Sequence, residues 1–397
     1  MRIAVLAPDI PFPAYRGGRA DVWRRILALR ALGHEVFLVH AEEADGPAKP
    51  LPAAHATIEA VVSGRFGLPL KRSAWRTLRQ LAGAWRLPWH AAMRVPDAAE
   101  WAVLAPRLDA FKPDLVWLEG PWFGVVAQRL ARRGVPFAYR SHNIEHEYLW
   151  KQAQVAVRLR DRIAWRLVCI GLARWERRLM EDAAAVFDIS LDDLAHWRQA
   201  GVQRLHWLPP LPQTAVEPAS GAAVPGDVVF VGNLATPNNV RGVEFLLQDV
   251  WPGVLARRPG ARLAIVGSKP SPHVQEMLAQ ADASVEGRID VPDTEPHLRG
   301  ARVLVNPVLT GSGVQLKLMD MLMTDAHVIT TRQGVRGLPA DVVAAVRVAE
   351  DSDDFVDALV AALDAPPPLP LRTARDAARR RFGMEAVGEA VRLAAAA

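Results

Sequence analysis

Short apolar runs alternate with amphipathic stretches along nearly the whole chain, and this alternation limits the fold more than any other feature. "RIAVLA" at residues 2–7 suits a buried parallel strand, because strands covered on both faces read as continuous apolar runs. A Pro/Gly loop, "PDIPFPAYRGG", follows, and then Val22, Ile26, Leu29 and Leu32 recur at helical spacing until Gly33. "HEVFLVH", "PDLVWLEG", "VPFAYRS" and "AAAVFDIS" are further strand-like runs, with the helical "FGVVAQRLARRG" between the second and third. Strands separated by helices are βαβ units, and βαβ units build a parallel sheet.

The alternation then stops and restarts. "LPPLPQTAVEPASGAAVPG", from Leu208 to Gly226, is rich in Pro, Ala and Gly without periodicity, the composition of a linker. Beyond it, "DVVFVG", "RLAIVGS", "ASVEGRI", "RVLVNPV" and "HVITT" read as strands separated by helical stretches. The fold class expected is therefore α/β with two Rossmann-like doubly wound domains. The divisions are an amino-terminal domain over 1–208, a linker over 209–226, a second domain over 227–375, and a basic terminal helix from about Leu371 to Leu393. At 397 residues the chain is too long for one core and suits two. No repeat of short period is apparent.

Ligands of such sheets bind beyond the carboxyl ends of the strands, and between two domains the cleft is the default site. That selects the residues just after strands: Gly17-Gly18, His142, Gly232-Asn233, Arg288 and Gly311-Ser312-Gly313. In "NPVLTGSGVQLKLMDML" a strand ends, a Gly-Ser-Gly turn follows, and a helix opens with Lys317 near its first turn. Glycines admit an anion close to the backbone, and a helix start favours phosphate. Such loops also occur as plain turns, and both readings stand on the motif alone. Asp320, one to two turns further on, is placed to accept hydrogen bonds from hydroxyls such as a ribose diol.

His142 to His146 spell H-x-x-E-H, a zinc-peptidase pattern. That chemistry needs both histidines on one helical face with a third ligand downstream. Here His142 stands directly behind a strand, so the candidates are a zinc site, a structural histidine pair, or a single cleft residue, His142. The expectation is the last, with no metal and with His146 at a helix start. "DSDDF" (351–355) and "LDDL" are carboxylate pairs that suit helix starts better than metal ligation. The single cysteine, Cys169, excludes an internal disulfide and any cysteine-rich zinc site.

Net charge is only +5, but residues 60–96 contain no acid. They carry Arg65, Lys71, Arg72, Arg76, Arg79, Arg86 and Arg94, with Trp75, Trp85 and Trp89 interleaved. An anionic membrane surface or acceptor and a solvated helix with inward tryptophans are both open readings. Nucleic acid is not expected, since no binding motif accompanies the patch. The apolar run at the start is too short for a signal-peptide core, and no run of about 18–20 apolar residues suits a spanning helix. The expected location is the cytoplasm, peripheral at the inner membrane face.

The Gly-Ser-Gly stretch, with "TTRQGVRGLP" after it, resembles the carboxyl-terminal signature of GT-B glycosyltransferases of the group 1 type. "FVGNLATPNNVRGVEFL", "RLAIVGSKP", "VEGRI" and "ARRRFGMEAVGEAV" resemble further parts of their donor domain and of the final helix (376–397) that crosses back to the first domain. "PDIPFPAYRGG" and "YRSHNIEHEY" are similar to their amino-terminal half, and the closest subgroup is the exopolysaccharide type. The resemblance implies retaining, metal-independent transfer of a hexosyl group from a UDP- or GDP-linked sugar, without a cofactor. His142 would be the active-site histidine near the donor sugar. Gly17, Gly18, Gly232, Asn233, Arg241, Arg288, Gly311, Ser312, Gly313, Val314, Gln315, Lys317 and Asp320 would surround the donor. Arg16, Arg19, Asn143 and Glu145 would face the acceptor, a glycan or lipid-linked precursor. Lys317, Arg16, Arg19 and Lys269 are candidate cations for the leaving diphosphate.

The chain departs from the family pattern at two useful places. Ser312 stands where the first of two carboxylates is common, and Asn233 where an arginine is common, with Arg241 a loose substitute for a lysine. A non-catalytic or epimerase-type protein that binds a nucleotide sugar is the alternative these departures leave open.

Overall fold

The structure, a computed structural model, describes residues 1–14, 17–43, 52–70, 83, 85–156, 158–213, 226–291, 293–310 and 313–396. Among these, β1 (Arg2–Ala7), β2 (Glu35–Glu43), β3 (Gly64–Leu70), β4 (Leu115–Glu119), β5 (Phe137–Ser141), β6 (Ala185–Asp188) and β7 (Leu205–Trp207) form one sheet. Its order is β3-β2-β1-β4-β5-β6-β7, and every pairing is parallel. A second sheet holds β8 (Gly226–Asn233), β9 (Leu263–Ser268), β10 (Val285–Ile289), β11 (Ala301–Asn306), β12 (His327–Thr331) and β13 (Arg347–Ala349). It runs β10-β9-β8-β11-β12-β13, again all parallel. Both orders reverse direction beside the first strand of the sheet, the switch point of a doubly wound fold.

The expected strands form because their side chains leave water on both faces. Ile3, Ala4, Leu6, Val116, Trp117, Leu118 and Tyr139 have no exposed surface. The Gly17–Ala31 helix packs Val22, Ile26, Ala28 and Leu29 inward. By contacts, the chain divides into two compact units, Met1–Pro209 with Met384–Ala397, and Pro210–Gly383. Most of the expected linker, residues 214–225, lies outside the described residues.

Some elements differ from the sequence expectation. β3, β7 and β13 were not expected; they are outermost in their sheets, and β7 and β13 have only three residues each. Outer strands lack the two-sided burial that writes an apolar run into the sequence. The single terminal helix expected over about 371–393 is two, Leu369–Arg381 and Met384–Ala396. The break falls where Phe382 turns fully into the core. Among the described residues no helix is long and apolar enough to cross a membrane.

Candidate active site

In the first unit the carboxyl ends of β1, β4 and β5 are adjacent, and charged side chains converge there. Register sets Glu119 of β4 opposite Arg140 of β5. The helix after β1 adds Asp21 and Arg25, one turn apart on its buried face. Arg25 Nη2 donates to both carboxylate oxygens of Asp21 at 2.9 Å, and its Nε lies 3.5 Å from Glu119 Oε1. Arg140 donates to Asp21 Oδ2 at 3.2 Å and to the Leu208 carbonyl at 2.5 Å. Trp117 Nε1 donates to Glu119 Oε1 at 3.0 Å, and the Arg25 guanidinium lies over the Trp117 ring at 5.7 Å.

His142 completes the group. Its Nε2 is 2.7 Å from Glu119 Oε2 and its Nδ1 is 3.6 Å from Asp21 Oδ2. Two carboxylates and two guanidiniums balance one another, which is what makes their burial tolerable. Burial alone would raise the Asp21 carboxyl, but Arg25, Arg140 and His142 together hold it well below the usual range. Burial, reinforced by Arg25, draws Arg140 down to about 10. The side chains of Asp21, Arg25, Glu119 and Arg140 are at most 4% exposed, whereas that of His142 is 17% exposed. The histidine is thus the network's face toward solvent.

The second histidine of H-x-x-E-H belongs elsewhere. The Glu145–Val155 helix begins at Glu145, and the fully buried Glu176 caps it. Glu176 accepts from the backbone N–H groups of Glu145 and His146 at 2.9 and 3.0 Å and pairs with His146 Nδ1 at 2.7 Å. A carboxylate at a helix start meets both orphan N–H groups and the dipole. His142 and His146 therefore serve different carboxylates, and His146 stands at a helix start as expected. Asn143 accepts from Ser141 Oγ through its carbonyl. Burial and then the Glu176 charge push Glu145 up to about 8, against a hydrogen bond from Asn143. A different trio, His146, Glu147 and His196, brings ligand atoms within 4.8 Å of one another and is the group among the described residues that could hold a cation.

Gly17 and Gly18 open the Gly17–Ala31 helix. Neither has a positive φ, and a Cβ on either would meet nothing within 4 Å. Local packing and backbone angle therefore do not demand glycine there. Arg19 lies in the first turn of the same helix; Arg16 lies outside the described residues.

In the second unit the corresponding strand ends carry a different chemistry. Lys317, on the Leu316–Leu322 helix, donates to Asn239 Oδ1 at 2.9 Å and places its amine 4.6 Å from the Phe230 ring centre. Burial draws its amine down to about 7. A Cβ at Gly232 would come within 2.8 Å of the Asn239 amide that holds Lys317, so glycine there has a packing reason. Asn233 Oδ1 accepts from the Ala235 N–H at 3.0 Å. Arg241 donates to Thr310 Oγ1 at 3.1 Å, beside the Gly-Ser-Gly loop. Gly311 and Ser312 lie outside the described residues. Gly313 has φ +86°, which favours glycine. Val314 leads into Gln315, which caps the helix without a side-chain bond and donates to the Gly313 carbonyl at 3.4 Å. Asp320 accepts from the Gln213 backbone N–H at 2.9 Å. Arg288 pairs with Glu286 at 2.8 Å and approaches His297 Nδ1 at 3.2 Å. Lys269, whose N–H is held by Asp290, follows β9.

Sequence reasoning singled out His142 but not Asp21, Arg25, Glu119 or Arg140, which the structure sets beside it. The usable signal was an acid and a base four apart on the apolar face of the first helix, and charges ending two otherwise apolar strands.

Residues 16–210 match the model of the glycosyl transferase 4-like domain, and residues 225–365 match that of the glycosyl transferases group 1. A protein of the cps region of Klebsiella pneumoniae, uncharacterized and of 44.6 kDa, is 23% identical over 352 residues, which is 85% of this chain and 84% of that protein. Among solved structures, Anabaena Alr3699/HepE in complex with UDP is similar with a TM-score of 0.64, 13% identity and 98% of both chains covered. An α,α-trehalose-phosphate synthase (UDP-forming) from Burkholderia vietnamiensis has a TM-score of 0.59 at 14% identity, with 98% of each chain covered. WaaG, a glycosyltransferase involved in lipopolysaccharide biosynthesis, has a TM-score of 0.56 at 16% identity, over 96% of this chain and 95% of its own. The two domain matches, one in each unit, together with the structural likeness, support a glycosyltransferase on the GT-B fold.

Proposed function

We propose that the protein moves a hexosyl group from a UDP- or GDP-linked sugar to a glycan or lipid-linked acceptor of polysaccharide biosynthesis, with retention and without a metal. The observation that carries this reading is the placement of His142, the exposed member of an otherwise buried charge network at the carboxyl ends of β4 and β5. The relative from a cps region and the UDP complex of the Anabaena protein support the pathway and the donor class. His142 faces the donor sugar, fixed by Glu119 and Asp21 rather than free to swing. As the glycosidic bond breaks, the departing diphosphate gains charge, and pre-placed donors stabilise it at no cost of reorganisation. Lys317 and Arg241, Gly313 to Gln315, Gly232-Asn233 and the Gly17-Gly18 helix start supply them. Asp320 holds the ribose, and Arg288 lies by the base. Arg19, Asn143 and Glu145 line the acceptor side. The protein works in the cytoplasm, at the inner membrane face.

Asn233 and Ser312, which lack the charges common at their positions, favour as a second reading a protein that binds a nucleotide sugar without transferring it. Calorimetry and transfer assays with a panel of UDP- and GDP-sugars separate the two. Under the first reading, His142→Ala lowers kcat by about 10²-fold or more while donor binding persists, and Lys317→Ala weakens donor binding. Binding without transfer by the wild type supports the second reading, and no nucleotide binding at all defeats both.

A further inference from the structure

The Leu159–Cys169 helix presents an apolar stripe to solvent. Leu159, Ile163, Leu167 and the following Ile170 recur at helical spacing and are 37–69% exposed. On the preceding Glu145–Val155 helix, Trp150 and Val155 are exposed as well, at 46% and 72%. A monomer rarely leaves a contiguous apolar patch uncovered unless something docks there. The charges on this helix are mostly basic, Arg158, Arg160, Arg162 and Arg166 against Asp161, and on the preceding helix the acid Glu147 is paired with Lys151 at 3.6 Å. Arg160 and Asp161 pair at 3.3 Å, and the Arg166 guanidinium lies 5.6 Å from the Trp150 ring centre. A cavity of about 520 Å³, lined by Trp150, Arg166, Cys169 and Ile170 among others, opens beside the stripe.

We infer that this pair of helices is a membrane-docking surface, which lies in the plane of an anionic lipid leaflet with the apolar stripe among the acyl chains. An apolar stripe flanked by arginines, with a tryptophan at its border, is the composition that partitions into such an interface. A second copy of the chain fits less well, because a two-fold contact would set arginine against arginine. Of the described arginines in the expected basic stretch, Arg86 lies over the exposed Trp85 ring at 4.4 Å, while the other two are taken up by acids and backbone. Arg65 is taken up by Glu59 and Glu42, and Arg94 by the Pro8 carbonyl and Asp9; residues 71–82 and 84 lie outside the described residues. The inference rests on the proposed membrane-linked acceptor for its purpose, but its test uses no turnover.

The test is flotation of the full chain with vesicles of phosphatidylcholine alone or mixed with phosphatidylglycerol. Wild type is expected to float with the anionic vesicles. Ile163→Ser with Leu167→Ser is expected to lower the bound fraction about tenfold. Arg160→Glu with Arg166→Glu is expected to lower it by a similar, about tenfold factor on anionic vesicles only. Since all four side chains are exposed, circular dichroism and the thermal transition should not move. Cys169 is the sole cysteine, so Ile163→Cys in a Cys169→Ser background takes one environment-sensitive dye. Its emission should shift to the blue on addition of anionic vesicles, which tests insertion independently of the serine variants. Equal flotation of wild type and the serine variant, or an unshifted dye, overturns the inference. So does a wild-type dimer that the serine variant dissociates without any flotation. UDP-sugar binding measured in parallel separates failure of this surface from failure of the proposed activity.

Discussion

The strand ends of the two units treat charge in opposite ways. In the first, Asp21, Arg25, Glu119 and Arg140 neutralise one another out of water, and His142 is held by two carboxylates. In the second, Lys317 rests on an amide oxygen and an aromatic face, and among the described residues no carboxylate pairs with it. The first arrangement is balanced in charge, two carboxylates against two guanidiniums, although Arg25 Nε and Nη1 and Arg140 Nε have no hydrogen-bond partner among the described residues. The second holds a desolvated amine on neutral groups, an arrangement that suits the diphosphate of the proposed reaction.

The contrast can be broken most sharply by removing one charge from each side. Glu119→Ala leaves the two buried guanidiniums of Arg25 and Arg140 against the single carboxylate of Asp21 and should cost about 3–5 kcal/mol of stability by chemical denaturation. Lys317→Met removes a charge with no acidic partner, keeps the volume, and should change stability by less than about 1.5 kcal/mol while weakening nucleotide-sugar binding. Similar losses from the two would erase the distinction.

A pH series sharpens it. The Lys317 amine is drawn down to about 7 in the folded protein from its usual 10.5, so between those values the folded state holds fewer protons than the unfolded one. Its contribution to stability therefore rises with pH from about 7 to 10.5. An anion binds the protonated amine, so donor affinity should be full below pH 7 and fall by up to about tenfold per unit above it. Titration calorimetry in two buffers reads the affinity and the proton taken up, and Lys317→Met should flatten both.

The smallest effect concerns the open space at the first helix start. Gly18→Ala meets no neighbour and should raise stability by about 0.5 kcal/mol through helix propensity. If a donor approaches that backbone, the same change lowers transfer. Unchanged transfer would mean that the space at Gly18 is not used.

The central strands and His142 were legible because their signals are local: two-sided burial writes apolar runs, and a polar residue directly behind a strand stands at the ligand-binding edge. β3 and β7, at the margins of the first sheet, write no such run. Glu119 and Arg140 also end apolar strands, yet one strand end cannot name its neighbour.

The sequence by itself determined two parallel α/β units, the strands at their centres and the histidine at one strand end, since all follow from the spacing of apolar residues along the chain. Only the tertiary structure decided what that histidine touches. The strand order β3-β2-β1-β4-β5-β6-β7 sets β1, β4 and β5 side by side, so residues 21, 119 and 140–142 meet although about a hundred positions separate the first from the others. The same packing separated the two histidines of H-x-x-E-H, because a helix begins between them and Glu176 caps it.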